Sequence, residues 1–122
     1  MKIRFHNQHL RFRLDELEIR QLCDGQQIAS RISLELTSFS IELNKSSELN
    51  PVLILNEGVL QVSIPEDWTH NWLSDDMVGF EFKIESKGNQ SITVVVEKDY
   101  PCAHTKEGKA IFGTPQLMPS RS

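Results

Sequence analysis

The sequence is poor in cysteine, in long apolar runs and in catalytic signatures. Cys23 and Cys102 are its two cysteines among 122 residues. Two widely separated cysteines in a chain without a secretion signal indicate a reducing, cytoplasmic location, and we expect no disulfide between them. No segment approaches the ~18 consecutive apolar residues of a membrane helix, so we expect no membrane partner. The sequence also lacks the nucleotide-binding glycine loops, the nucleophile elbow and the zinc-protease motif, and nothing in it indicates an enzyme.

The charge balance is mildly acidic. The formal net charge is −4, from 13 Lys and Arg against 17 Asp and Glu. Residues 1–50 contain seven residues of each sign, whereas residues 51–122 contain six basic and ten acidic residues. A dedicated nucleic-acid-binding domain is typically strongly basic, so we do not expect a nucleic-acid partner. Apolar residues make up 39% of the chain, which is typical of a globular domain.

Four segments alternate apolar and polar residues with the period of two that half-buried strands show. They are residues 3–14, 28–43, 52–64 and 78–96. Each is interrupted once by turn-forming residues, so each is predicted to be a β-hairpin and the chain to contain eight short strands.

Two helices are predicted between these hairpins. The first begins at Asp15, a good N-cap residue, and ends at Gly25. The second covers residues 65–75, with a proline in its first turn. Trp68 and Trp72 are four residues apart and are predicted to lie on one helix face, packed in the core.

The order hairpin, helix, hairpin occurs twice, which predicts an α+β fold with a duplicated ββαββ plan. An offset of 50 residues aligns the apolar positions of residues 10–34 with those of residues 60–84. An offset of 53 aligns residues 41–43 with residues 94–96. The agreement lies in the order of the elements and in their apolar register rather than in residue identity.

Eight short antiparallel strands would expose several edges, so we expect one curled sheet or a closed barrel with the two helices packed on it. Residues 1–98 are then one domain with halves of about 1–45 and 51–98. Residues 99–122 break the alternation and are predicted to be an irregular tail, packed on the domain and disordered at its end.

The first hairpin is predicted to expose a basic face, because its apolar residues face the core and the residues between them face solvent. These outward residues are Lys2, Arg4, His6, His9, Arg11 and Arg13. The equivalent second-half hairpin has Gln61 and Ser63 instead of Arg11 and Arg13, so the charge is not a by-product of the architecture.

Four permanent cations on one face attract phosphate, a nucleotide or an acidic partner. We therefore predict a non-enzymatic binding module for a small anionic ligand or a protein partner. Its ligand-binding residues are Lys2, Arg4, Arg11 and Arg13. The alternative interpretation is that these cations are solvated or pair with the acidic second half. The face has no predicted exposed aromatic residues for base stacking, and nothing in the sequence indicates an oligomeric state.

A second candidate site is a metal site near the C-terminus. Cys102 and His104 lie two residues apart, Asp99 precedes them, and His6 and His9 flank the first turn. Thiolate, imidazole and carboxylate groups bind zinc, so these residues predict a zinc or thiol-dependent site if the tail folds back to the hairpin. A closed zinc site needs four ligands, and a buried structural cysteine with solvated histidines is the simpler interpretation. We therefore expect no cofactor, with zinc as the alternative.

Two short segments support a family resemblance: the opening MKIR (Met1–Arg4), which starts the basic hairpin before a short helix, and VEKDYPC (Val96–Cys102). In these segments the chain resembles a family of small, uncharacterised bacterial proteins. The resemblance covers roughly residues 1–102, and the tail diverges from Ala103 onward. It implies a bacterial cytoplasmic protein with no assigned activity and carries over no site residues.

Overall fold

The strands of the protein form two separate sheets. The computed structural model describes residues 1–86, 88–99 and 112–113. Its strands are β1 (Lys2–His6), β2 (His9–Leu14), β3 (Ile28–Ser33), β4 (Ser38–Ser46), β5 (Val52–Asn56), β6 (Val59–Pro65), β7 (Gly79–Ser86), β8 (Gln90–Lys98) and β9 (Phe112–Gly113). Its helices are α1 (Glu16–Cys23) and α2 (Glu66–Thr69).

Each sheet combines hairpins from distant parts of the chain. Sheet A has the order β1-β2-β8-β7-β9, and sheet B has the order β3-β4-β6-β5. The hairpins are antiparallel, but they meet through parallel pairs, β2 with β8 and β4 with β6. The prediction of a single curled antiparallel sheet or a barrel is therefore wrong. Both sheets are open, and each contains a parallel pair.

The two sheets and helix α1 share one apolar core. Because the apolar side chains of both sheets join one buried cluster, the strands bury them without closing into a barrel. The buried core residues are Leu10, Phe12, Leu14, Ile19, Leu22, Ile28, Leu43, Val62, Ile64, Trp72, Phe80, Phe82, Val94 and Val96. Burial of one such aliphatic or Phe side chain contributes roughly 1.5–3 kcal/mol, which makes this core the main source of stability.

Helix α1 begins and ends as predicted. The Asp15 carboxylate accepts the Glu18 N–H at 2.8 Å, and the Glu18 carboxylate accepts the Asp15 N–H at 3.0 Å. This reciprocal capping box satisfies two backbone donors at the helix start. Gly25 follows the helix with φ +89°, a left-handed conformation that glycine adopts without strain.

Helix α2 is shorter than predicted. It makes one turn, and Pro65 at its N-cap position offers no side-chain hydrogen bond. The backbone leaves helical geometry at His70, where ψ is 120°. Asn71 then takes a left-handed conformation with φ 65°, so the helix stops well before residue 75 and turns continue the segment.

The two tryptophans belong to the core in spite of the short helix. Trp72 is fully buried, and its indole N–H donates to the Met77 carbonyl at 3.1 Å. Trp68 is partly buried and stacks on Phe80, with ring centroids 5.4 Å apart. The predicted packing role is confirmed.

Several apolar residues at the ends of strands are exposed against expectation. Phe5 is 76% exposed, because it lies at the tip of hairpin β1–β2 next to the Asn7-Gln8 turn. Leu34 and Leu36 follow the end of β3 instead of continuing its alternation, and both are exposed.

Most of the predicted tail lies outside the described residues. Asp99 follows β8, and the backbone of β9 runs parallel to the start of β7, with Phe112 opposite Gly79. The predictions of an irregular tail and a disordered end otherwise concern residues beyond the described ranges. Neither helix in those ranges is long and apolar enough to cross a membrane.

Candidate functional site

The outer side of hairpin β1–β2 is the basic face. Alternate residues of β2 are buried in the core, and the residues between them point away from it. The residues of the basic face are Lys2, Arg4, His6, His9, Arg11 and Arg13. All are exposed except Arg11, which is half-buried. The structure therefore brings the predicted cations and the first two histidines to one surface.

The hairpin register sets like residues opposite one another on this face. The cross-strand pairs are Lys2 with Arg13, Arg4 with Arg11 and His6 with His9. Like charges directly opposite in an antiparallel pair destabilise it. The basic face therefore needs anions to offset the repulsion, and two carboxylates supply part of that charge.

Glu97 of β8 holds two of the arginines. Its side chain is only 4% exposed and lies on the strand next to β2, opposite Arg13. Arg11 Nη1 donates to Oε2 at 2.9 Å and to Oε1 at 3.1 Å, and Arg13 Nε donates to Oε2 at 2.8 Å. The hydrogen bond to Glu97 raises the pKa of the Arg13 guanidinium. Charge-assisted hydrogen bonds of this kind are roughly twice as strong as neutral ones.

Glu97 is the site residue that the sequence analysis missed. Because Val94 and Val96 face the core, alternation alone places Glu97 on the outer side. Its neighbour in the sheet is a strand more than 80 positions away, which alternation does not reveal. At Arg11 and Arg13, the structure bears out the alternative interpretation of pairing with the acidic second half.

Asp99 balances the positive charge at the Lys2 end of the basic face. Its Oδ2 lies 3.0 Å from Lys2 Nζ, and its Oδ1 lies 4.0 Å from Arg13 Nη1. The hydrogen bond from Lys2 lowers the pKa of the Asp99 carboxyl, which is therefore ionised at neutral pH. The Asp99 N–H donates to the Leu14 carbonyl at 2.8 Å, which fixes the residue beside the end of β2.

The ion pairing of the basic face ends at Arg4, and a groove begins beside this residue. Arg4 is exposed and forms no ion pair with any residue in the described ranges. The groove has a volume of about 460 Å³. Its lining residues are Arg4, Phe5, His6, His9, Leu10, Arg11, Thr93 and Val95. This Arg4 groove combines guanidinium, imidazole and hydroxyl groups with apolar side chains, a composition suited to an anion that has an apolar part.

The predicted metal ligands are not brought together as a set. His6 and His9 lie at the turn end of the hairpin, whereas Asp99 lies beside Lys2, four residues or about 13 Å along the strand. Cys102 and His104 lie outside the described residues. Among those that the structure describes, no three His, Cys, Asp or Glu side chains are placed to hold a metal ion. Zinc binding stays a prediction.

A second concavity, of about 400 Å³, lies where α1 approaches α2. Its lining residues are Cys23, Lys45, Glu66, Asp67, Thr69, His70 and Asn71. The Cys23 thiol is free and lies 3.6 Å from the Thr69 carbonyl oxygen. Burial raises the pKa of this thiol, so it is protonated at neutral pH and is a poor nucleophile.

Comparison with known proteins assigns a family without an activity. Residues 1–113 match the model of a protein family described as a family of unknown function (DUF7009). Neither the curated proteins nor the solved structures contain a match to the chain. The function is therefore inferred from the site.

Proposed function

The chain belongs to the DUF7009 family, and we propose that it is a non-enzymatic binding module that holds an anionic ligand in the Arg4 groove. The Arg4–Arg11 pair carries this proposal. The two residues lie directly opposite each other, and a carboxylate binds only Arg11. An anion between the two guanidinium groups would offset their repulsion and could accept hydrogen bonds from both.

The basic face keeps a positive excess after its internal ion pairs. Its four permanent cations are matched by two carboxylates, Glu97 and Asp99, which leaves two positive charges. The next acidic side chain across the sheet from Arg11 is Glu81, and Val95 lies between them. Two strand spacings place Glu81 about 10 Å away. A local positive surface on a chain of net charge −4 would attract an anion to this groove.

The apolar lining of the groove narrows the class of ligand. Phe5 is 76% exposed, and Val95 lies on the strand beside Arg11. A phosphate or carboxylate would bind the guanidinium groups, and an attached apolar group would contact Phe5 and Val95. A small anionic molecule and an acidic segment of a protein partner both have this chemistry.

We also infer that the chain is an internal duplication. Without β9, sheet A has the order β1-β2-β8-β7, and sheet B read from its other edge has the order β5-β6-β4-β3. Each strand of one half thus has a counterpart in the other half. The pairings agree, because Leu10 lies opposite Val94 just as Leu60 lies opposite Ile41. These are the offsets of 50 and 53 that the sequence predicts.

One predicted offset needs adjustment. Ile28 lies opposite Leu43 and Phe80 lies opposite Val96, so β3 corresponds to β7 with an offset of 52 rather than 50. Between the aligned core residues, 13 residues separate Leu14 from Ile28 and 15 separate Ile64 from Phe80, so the second half is two residues longer at this point. The side chains keep their faces, because a shift of two residues preserves the alternation. An experimental structure whose halves do not superpose would contradict the duplication.

The counterpart of the basic face supports the binding proposal. In sheet B, the places of Arg4 and Arg11 are taken by Ile54 and Gln61. A duplicated architecture does not by itself require cations there, so the charge on sheet A needs its own explanation. We extend the proposal to a bacterial, cytoplasmic protein, in keeping with the family resemblance and the free thiol of Cys23.

Thermal unfolding with a panel of anions tests the binding proposal. The probes are inorganic phosphate, a nucleotide and a short acidic peptide. A ligand at ~100 times its Kd adds about 2.7 kcal/mol of stability, which raises the Tm of a domain of this size by several degrees. We expect Arg4→Gln to abolish the shift and high salt to weaken it. Arg31→Gln is the matched control, because Arg31 is an exposed cation of β3 in sheet B.

The results of this panel distinguish the binding proposal from its alternatives. An unchanged Tm with every anion, or equal loss in Arg4→Gln and Arg31→Gln, contradicts a specific Arg4 groove. A shift with zinc that is lost in Cys102→Ala supports the metal prediction instead. A shift with short RNA contradicts the proposed class of partner.

A further inference from the structure

The edges of the two sheets differ in how they are protected. An edge strand presents unpaired backbone N–H and C=O groups that can pair with another chain, and charged side chains commonly prevent this. The edge strand β1 carries Lys2 and Arg4, and β3 carries Arg31. The first two residues of β7 are paired with β9.

Strand β5 has neither protection. Its sequence, Val-Leu-Ile-Leu-Asn, contains no charged residue and no proline. Ile54 is 49% exposed and Leu55 is 68% exposed. Strand β6 pairs with one side of β5, and no strand in the described part of the chain pairs with the other side. An apolar, unprotected edge of this kind is a surface that another strand can cover.

We propose that this edge pairs with a second copy of the chain. The two β5 strands would lie antiparallel across a twofold axis perpendicular to the sheet, centred on Ile54. Leu53 would then lie opposite Leu55 of the partner subunit, so that apolar side chains face apolar side chains. The two copies of sheet B would form one continuous eight-stranded sheet.

The distribution of charge favours a second copy as the occupant. In this register Glu57, the acidic residue nearest to Ile54, lies opposite Pro51 of the partner subunit and not opposite its own copy. The same operation on β1, centred on Arg4, would place two Arg4 side chains against each other, which is unfavourable. The chain carries a net charge of −4, so an uncharged strand is where two copies can meet with the least repulsion.

The pairing is expected to be reversible. The five residues of β5 form a small contact, below the usual size of a permanent interface. The monomer and the dimer should therefore exchange with protein concentration. Because β5 lies on sheet B and the Arg4 groove lies on sheet A, failure of either proposal leaves the other standing.

Sedimentation velocity of the full chain over a hundredfold range of concentration tests the proposal. We expect a shift from monomer to dimer for the unmodified chain, and an association constant at least about tenfold lower for Ile54→Lys, which places a charge at the centre of the pairing. Ile32→Lys is the matched control. Ile32 is 61% exposed on β3, the opposite edge of the same sheet, and its substitution should leave the dimer intact.

Cross-linking gives a second measurement if Ile54→Lys fails to fold. In a background of Cys23→Ser and Cys102→Ser, mild oxidation should link two copies of Ile54→Cys and should not link Ile32→Cys. Three results overturn the proposal: a monomer at every concentration, a dimer that survives Ile54→Lys, or a dimer lost equally in Ile32→Lys. In the first of these cases, a strand that pairs with the edge of β5 would have to come from a different protein.

Discussion

The two sheets have the same order of corresponding strands, but the side chains on their outer faces differ in chemistry. On sheet A, the buried Glu97 carboxylate binds Arg11 and Arg13. On sheet B, the place of Glu97 is taken by Asn44, whose side-chain oxygen accepts a hydrogen bond from the Ser63 hydroxyl at 3.3 Å. The site is therefore a charged network on sheet A and an uncharged hydrogen bond on sheet B.

This difference separates what the fold requires from what a function uses. Both faces keep the same registers, and both sheets bury their inner side chains in one core. The strand order and registers of these sheets therefore do not require a network like that of Glu97. The Arg4–Arg11 pair has no counterpart on sheet B, and the uncharged edge of β5 has no counterpart on sheet A. We therefore assign the pair to a ligand and the edge to a second copy of the chain.

The largest effect is expected from removing the arginines that bind Glu97. Arg11→Ala combined with Arg13→Ala leaves a carboxylate that is 4% exposed without a partner. Breaking a buried ion pair from one side costs roughly 3–5 kcal/mol. Because the two guanidinium groups are 40% and 44% exposed, we expect the lower end, about 3 kcal/mol, measured as the free energy of unfolding in urea.

The corresponding double substitution on sheet B tests whether the loss of stability is specific to the charged network of sheet A. Gln61→Ala with Ser63→Ala removes at most a neutral hydrogen bond, and we expect a loss of about 1 kcal/mol or less. Adding Glu97→Val to the arginine double variant should restore part of the lost stability, because no unpaired charge stays buried. Equal losses on the two sheets would mean that the charged network is not what stabilises sheet A.

A smaller effect is expected at Gly79, which lies opposite Glu97 on the strand beyond it. A Cβ atom there would lie 2.0 Å from the Val96 carbonyl oxygen, so the backbone of β8 must move. We expect Gly79→Ala to cost about 2 kcal/mol in urea unfolding, as overpacking does. Gly88→Ala is the control, since its Cβ meets no atom within 4 Å and only its φ of +77° opposes alanine, at about 1 kcal/mol. A milder effect at Gly79 than at Gly88 would contradict the close approach.

Local features of the fold were readable from the sequence. The hairpins follow from the alternation of apolar residues, and α1 follows from the capping residue Asp15 and the terminal Gly25. These signals depend on neighbours within a few positions. Helix α2 is shorter than the spacing of Trp68 and Trp72 predicts, because the backbone becomes left-handed at Asn71, before Trp72.

The long-range arrangement could not be read in the same way. The parallel pairs that join the hairpins connect residues about 19 and 84 positions apart, and alternation records the face of a residue but not its neighbouring strand. The basic face was therefore predicted, whereas its binding to Glu97 and the isolation of Arg4 were not. Both depend on β8 lying beside β2.

The smallest expected effect concerns pH and the Lys2–Asp99 pair at the end of the basic face. Lys2 lowers the pKa of the Asp99 carboxyl below its ordinary value of 3.8. A carboxyl whose pKa is lower in the folded chain adds stability above about pH 3.8, and this stability is lost as the pH falls through the lowered pKa. We expect Asp99→Asn to flatten the fall of Tm in this acidic range.

A substitution of Lys2 and a control on sheet B test whether the acid sensitivity arises from the Lys2–Asp99 pair. Lys2→Met should flatten the same part of the Tm profile, and the double variant should change it no further, because both substitutions remove one interaction. On sheet B, the corresponding positions hold Val52 and Ser46, which carry no charge. Val52→Thr should therefore leave the acidic part of the profile unchanged. If it flattens the profile as much as Lys2→Met does, the acid sensitivity arises elsewhere and the charged end of the basic face is only a solvated surface.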